Sequence, residues 1–107
     1  MKAYQFDFPS NTSFSFIHLV NNVYHKLHIL YEVNTDSYYM NIEKYINGKF
    51  VEIVNCVKLT LGIDLFMQYR YLNLGKFFII PATDKLYRKD PSSKTIKSNY
   101  FILWEHD

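Results

Sequence analysis

An all-β domain is what this sequence predicts, a small barrel or sandwich of about seven strands with one short helical segment near residues 64–72. Three observations lead there. Apolar and polar residues alternate with period two along most of the chain. Ten tyrosines and nine phenylalanines favour pleated, half-buried surfaces. Turn-forming clusters recur about every ten residues, the spacing of short antiparallel strands. The length of 107 residues fits one domain, 1–107, which buries roughly two-thirds of its unfolded surface.

Each element follows from its own residues. Tyr4, Phe6 and Phe8 alternate with Gln5 and Asp7, a first strand stopped by Pro9-Ser10-Asn11. Ser13-Phe14-Ser15-Phe16 begins a second strand that ends at an Asn21-Asn22 turn. In the third, Leu27, Ile29, Tyr31 and Val33 share one face, and Lys26, His28 and Glu32 the other. The cluster "NTDS" at 34–37 turns the chain into "YYMNIEKYINGKFVEIVN". Its Asn47-Gly48 predicts a hairpin, because a type I′ turn needs positive φ at both central residues. A two-residue loop sets Tyr45 against Phe50 and Ile42 against Ile53, but also Glu43 against Glu52. Like charges directly opposite are unfavourable, so a bulge or an intervening lysine is expected there.

The stretch "GKFFIIP" reads as a buried strand ended by Pro81. Residues 84–99 are polar and basic, broken by Asp90-Pro91-Ser92-Ser93, and read as a long loop or ragged arm with solvated lysines. The final strand, "NYFILWEH", is apolar on both faces. It is therefore expected to be central, or covered by a partner.

The charge balance excludes little and supports less. A net charge of +2 is too small to signal nucleic-acid or membrane binding. Tyrosine aside, purely apolar runs reach only four residues, as in Phe77–Ile80, so no transmembrane helix is expected. The alternating N-terminus "MKAYQFDFPS" lacks the apolar core of a secretory signal. Cys56, flanked by Val54 and Val57, reads as a small core residue and has no other cysteine to pair with.

Catalytic chemistry finds no footing. His25 and His28 are three apart, which on a strand puts them on opposite faces and argues against a shared metal. The only glycines are Gly48, Gly62 and Gly75, too dispersed for a phosphate loop. Glu43 and Glu52 come close on a hairpin without a pocket, and no serine lies on a nucleophile elbow. No cofactor or metal is expected. A nucleic-acid or peptide-binding β module is the alternative function, with bases stacked on aromatic rings and phosphates met by Lys85, Arg88, Lys89, Lys94 and Lys97.

The most distinctive stretch is "LTLGIDLFMQYRYL", Leu59 to Leu72. Gly62 marks a bend where a Cβ would clash. Leu65, Tyr69 and Leu72 recur at the spacing of one helical face, and Asp64 is placed to cap that helix. Arg70 lies off this face, able to pair with a carboxylate or stack on a ring.

The pattern Leu59, Gly62, Asp64-Leu65, Gln68-Tyr69-Arg70-Tyr71-Leu72, then Gly75 before a hydrophobic strand, resembles the small baseplate plug proteins of simple contractile-tailed phages, of the cyanophage plug type. "FPSNTSFSF", "YHKLHILYEVN", "YYMNIEKYINGKFV", the Asp-Pro turn and the closing "YFILW" with Trp104 extend the resemblance over nearly the whole chain. The loop at 84–98 departs from it, being richer in lysine. The resemblance implies a virion protein of the tail baseplate, without catalysis, assembled in the host cytoplasm. It would sit at the central axis in several copies of a symmetric assembly, with hub, spike, tube or wedge proteins as partners. Related pieces occur in contractile bacteriocins and prophage-derived particles. Gly62, Asp64, Leu65, Gln68, Tyr69, Arg70, Tyr71, Gly75 and Trp104 then form the structural signature and candidate interface. Excess Tyr and Phe, two-sided apolar strands and low net charge agree with such a subunit.

Overall fold

The structure, a computed structural model, describes residues 1–8, 13–82, 90–92 and 100–107. Seven strands appear among them: β1 Lys2–Asp7, β2 Phe14–Val20, β3 Val23–Glu32, β4 Ser37–Ile46, β5 Lys49–Lys58, β6 Lys76–Pro81 and β7 Tyr100–His106. They form two antiparallel sheets, one in the order β1-β7-β6 and one in the order β2-β3-β4-β5. Of the two architectures left open by the sequence, this is the sandwich.

Asparagines set the tight turns. Asn21 and Asn22 both have positive φ between β2 and β3, as do Asn47 and Gly48 between β4 and β5. Each pair makes the backbone twist of a two-residue hairpin, as expected. The inward faces then follow from strand phase. Leu27 and Ile29 of β3, Tyr38, Met40 and Ile42 of β4, and Val54 of β5 are buried against Phe77, Ile79, Ile102 and Trp104 of the other sheet. Strand β7 is central in its sheet, which accounts for its two apolar faces.

Three expectations need correction. Val33 leaves the apolar face of β3, because the strand ends at Glu32 and Val33 is exposed in the turn. Cys56 is exposed rather than buried. The reason is a break in the β4–β5 register: Met40 faces Val57 and Ile42 faces Val54, so Asn55 and Cys56 together oppose Asn41. Cys56 takes a φ of 57°, and its N–H donates to Asn41 Oδ1 at 2.7 Å. A second irregularity lies between Ile42 and Glu43. Glu43 does face Glu52 and Tyr45 does face Phe50, whereas Ile42 faces Val54 in place of the expected Ile53. His28 Nε2, not a lysine, lies 2.8 Å from Glu43 Oε1 and meets the crowded carboxylate.

Candidate functional site

The signature stretch closes the sandwich on the side of β5 and β6. Beyond β5 the chain runs along the free edge of β6, where Leu61 makes a parallel bridge to Ile79. The Leu65 N–H donates to the Phe77 carbonyl at 2.8 Å. Asp64 Oδ1 accepts two hydrogen bonds, from the Phe77 N–H at 3.0 Å and the Phe66 N–H at 2.9 Å. Both backbone groups on this side of Phe77 are thereby satisfied, as a neighbouring strand would satisfy them. Asp64 is buried, and its Oδ2 has no hydrogen-bond partner; Arg70 Nη2 stands 3.7 Å away as its ion-pair partner. Asp90 repeats the device at the surface, accepting from the Leu61 N–H at 3.0 Å and pairing with Lys58.

The helical segment is shorter and tighter than the spacing predicts. It is a 3₁₀ helix over Met67–Leu72, kinked at Tyr69 and ended by Asn73 in the left-handed region. Asp64 does not cap it: the N-cap position is Phe66, without a side-chain bond. The aspartate instead ties the preceding turn to β6, a longer-range task than capping. The apolar face is as expected, with Leu65 buried and Tyr69 and Leu72 packed on the core.

The glycines exchange roles. A Cβ on Gly62 would meet open space, so its φ of +80° is what requires glycine there. At Gly75, φ is +87° and a Cβ would overlap the Glu105 carbonyl and come within 2.9 Å of His106 Cβ. The close approach predicted for Gly62 belongs to Gly75.

Trp104 lies at the centre of the fold, fully buried. Its Nε1–H donates to the Leu74 carbonyl at 2.7 Å, and Phe66 and Phe77 pack edge-on to it, each at 5.6 Å between centroids. The remaining signature residues divide by exposure. Asp64, Leu65 and Trp104 are internal, whereas Gln68, Arg70 and Tyr71 are exposed, Tyr71 by 75%. Ile63 and Met67 are exposed beside them. A cleft of about 550 Å³ runs between this apolar pair and the end of β5.

The opposite side holds a cluster that sequence reasoning missed. His18 Nε2 and His106 Nε2 lie 2.7 Å apart, joining β2 to β7 across the sandwich. His106 Nδ1 is 2.8 Å from the main-chain oxygen of Asp107, which can only accept. His106 Nδ1 therefore carries a proton, and whichever of the two Nε2 atoms is protonated donates the bond between the rings. Tyr4 stacks on His106 at 4.6 Å, and His18 meets the rings of Tyr4, Phe6 and Trp104. His25, paired with His18 in the β2–β3 register, is buried and bonds the Val23 carbonyl through Nδ1. Burial, then the neighbouring His106 and His25, pushes the His18 pKa down to about 4. Burial also lowers His25, helped by Lys44 and His106 and opposed by the Val23 carbonyl. Strand phase could have revealed the cluster. His18 shares its phase with Phe14 and Phe16, His25 with Leu27 and Ile29, and His106 with Ile102 and Trp104.

Among the described residues, no group of three or more His, Cys, Asp or Glu side chains is arranged to hold a metal ion. No helix among them is long and apolar enough to cross a membrane. Lys85, Arg88, Lys89, Lys94 and Lys97 lie outside the described residues.

The sequence matches the family model for the cyanophage baseplate Pam3 plug gp18 over residues 1–107. The chain belongs to this baseplate plug family. No curated protein matches it. The plug family is a structural part of a phage tail baseplate, in agreement with the resemblance carried by the signature.

Proposed function

We propose that this protein is a non-enzymatic subunit of a contractile-tail baseplate, packing with hub and spike proteins at the central axis of the virion tail. Membership of the plug family over the full 107 residues is the observation that carries the reading. The division of the signature supports it. Asp64, Leu65, Gly75 and Trp104 build a fixed base, and Gln68, Tyr69, Arg70 and Tyr71 ride on it next to the exposed Ile63 and Met67. Exposed tyrosine and arginine around an apolar patch are the composition of a protein interface.

Mass spectrometry of purified particles is expected to detect the chain, and deletion of its gene to leave tails with incomplete tips. Particles that lack the chain and carry normal tail tips would overturn the proposal. A purified protein that shifts single-stranded DNA with a steep salt dependence would instead favour the nucleic-acid-binding alternative.

A further inference from the structure

Each sheet of a sandwich has two edges, and an edge strand presents unpaired N–H and C=O groups to any strand that approaches. Three of the four edges here are blunted among the described residues. On β6, Leu61, Asp64 and Leu65 occupy the edge, and Pro81 ends the strand. Strand β5 is broken by two register irregularities and the positive-φ Cys56, and it carries Lys49, Glu52 and Lys58. Strand β1 is short and has Lys2 and Asp7 at its ends.

Among the described residues, strand β2 has none of these protections. Its register against β3 runs unbroken from Phe14 opposite Ile29 to Val20 opposite Val23. It contains no proline, no glycine and no Asp, Glu, Lys or Arg, and burial holds the pKa of its one titratable group, His18, down to about 4. On the outer face Ile17 is 53% exposed and Leu19 45%, and Tyr24, opposite Leu19 on β3, is 57% exposed. Lys26 stands opposite Ile17 on β3, but the edge strand itself is unbroken and free of fixed charge beside exposed apolar side chains, which makes it an incomplete surface.

We propose that this edge pairs with β2 of a second copy of the chain, antiparallel about a two-fold axis at Ile17. That register places Ile17 opposite the partner's Ile17 and Ser15 opposite the partner's Leu19. No like charges meet, so the strand is its own complement, and a two-fold contact of this kind closes on itself without growing into a fibre. The apolar patches of the two copies join across the axis, and the four-stranded sheet doubles in width. This rests on the assembly reading and goes beyond it, adding a second copy of the chain to the hub and spike partners.

Sedimentation of the purified full chain, from low micromolar to near-millimolar concentration, is the test. It is expected to show a species of twice the 12.9 kDa chain mass. Ile17→Lys should weaken that dimer by roughly tenfold or more, since edge lysines oppose pairing, with the melting temperature unchanged at dilutions where both proteins are monomers. In a Cys56→Ser background, Ile17→Cys should form a disulfide dimer on oxidation, because residues directly opposite lie about 4.5–5.5 Å apart. Val51→Cys on β5 should not. If Ile17→Lys unfolds the chain, the disulfide pair decides. A monomer at every concentration, a dimer indifferent to Ile17→Lys, or crosslinking through Val51→Cys would each overturn the proposal. A monomer found in tails sinks self-pairing alone, whereas a dimer absent from tails sinks the baseplate reading alone.

Discussion

The two sides of this sandwich are closed by different chemistry. Along β5 and β6 the closure is made by the backbone: a bridge from Leu61, the Leu65 N–H, and a buried carboxylate that stands in for a missing strand. Along β1 and β2 it is made by rings. Phe6 stacks on Phe16 at 4.6 Å, Tyr4 on His106, and one imidazole hydrogen bond spans the sheets. The first is directional and leaves two buried N–H groups orphaned if its acceptor goes. The second spreads its stabilisation over many weak contacts and depends on the charge state of His18. The comparison teaches that one buried carboxylate can do the work of a neighbouring strand, since Asp64 accepts from the Phe66 and Phe77 N–H groups and so ties the turn to β6.

That contrast can be broken at several points. Asp64→Ala strands the N–H groups of Phe66 and Phe77, and is expected to cost about 2–5 kcal/mol, read from the shift in a urea or thermal unfolding curve. Gly75→Ala should cost about 2–3 kcal/mol, because added atoms meet the Glu105 carbonyl. Gly62→Ala has open space around it and should cost only about 1 kcal/mol, the price of its φ. Equal losses at the two glycines would remove the close approach from the account.

On the aromatic side the lever is pH. With a folded pKa of about 4 and an ordinary value of 6.5, His18 takes up a proton in the unfolded chain before it does in the folded one. Stability is therefore full above pH 6.5 and falls as pH drops towards 4. The loss is on the order of 1 kcal/mol once solvent screening of this half-exposed group is allowed for. The His18→Gln variant should flatten that part of the stability–pH profile, and an unchanged slope would disconnect His18 from the seam. The smallest effect is expected at Arg70→Ala, under about 1 kcal/mol, because the guanidinium is largely exposed and 3.7 Å from Asp64. Its larger consequence is predicted in assembly, measured as incorporation into particles.

Most of the fold was legible in the sequence because its signals are local. Asn21-Asn22, Asn47-Gly48 and the two-sided β7 each act within a few residues, and each held, as did strand phase outside Val33 and the β5 irregularities. What was hidden depended on contacts distant in sequence. Asp64 reads as a helix cap until its partner Phe77, thirteen residues on, is seen. Cys56 reads as core because simple alternation knows nothing of the bulge opposite Asn41. His18 and His106 are 88 residues apart, and only the stacking of the two sheets makes them neighbours. The glycine at which a side chain would clash is likewise set by where β7 passes.

The central proposal is that this chain is a structural subunit of the tail baseplate. A cryo-electron microscopy reconstruction of the assembled tail tests it most directly. The account predicts density for this two-sheet domain at the baseplate axis, with the exposed signature residues Gln68, Arg70 and Tyr71 against a neighbouring protein. A complete tail tip without the domain would contradict it.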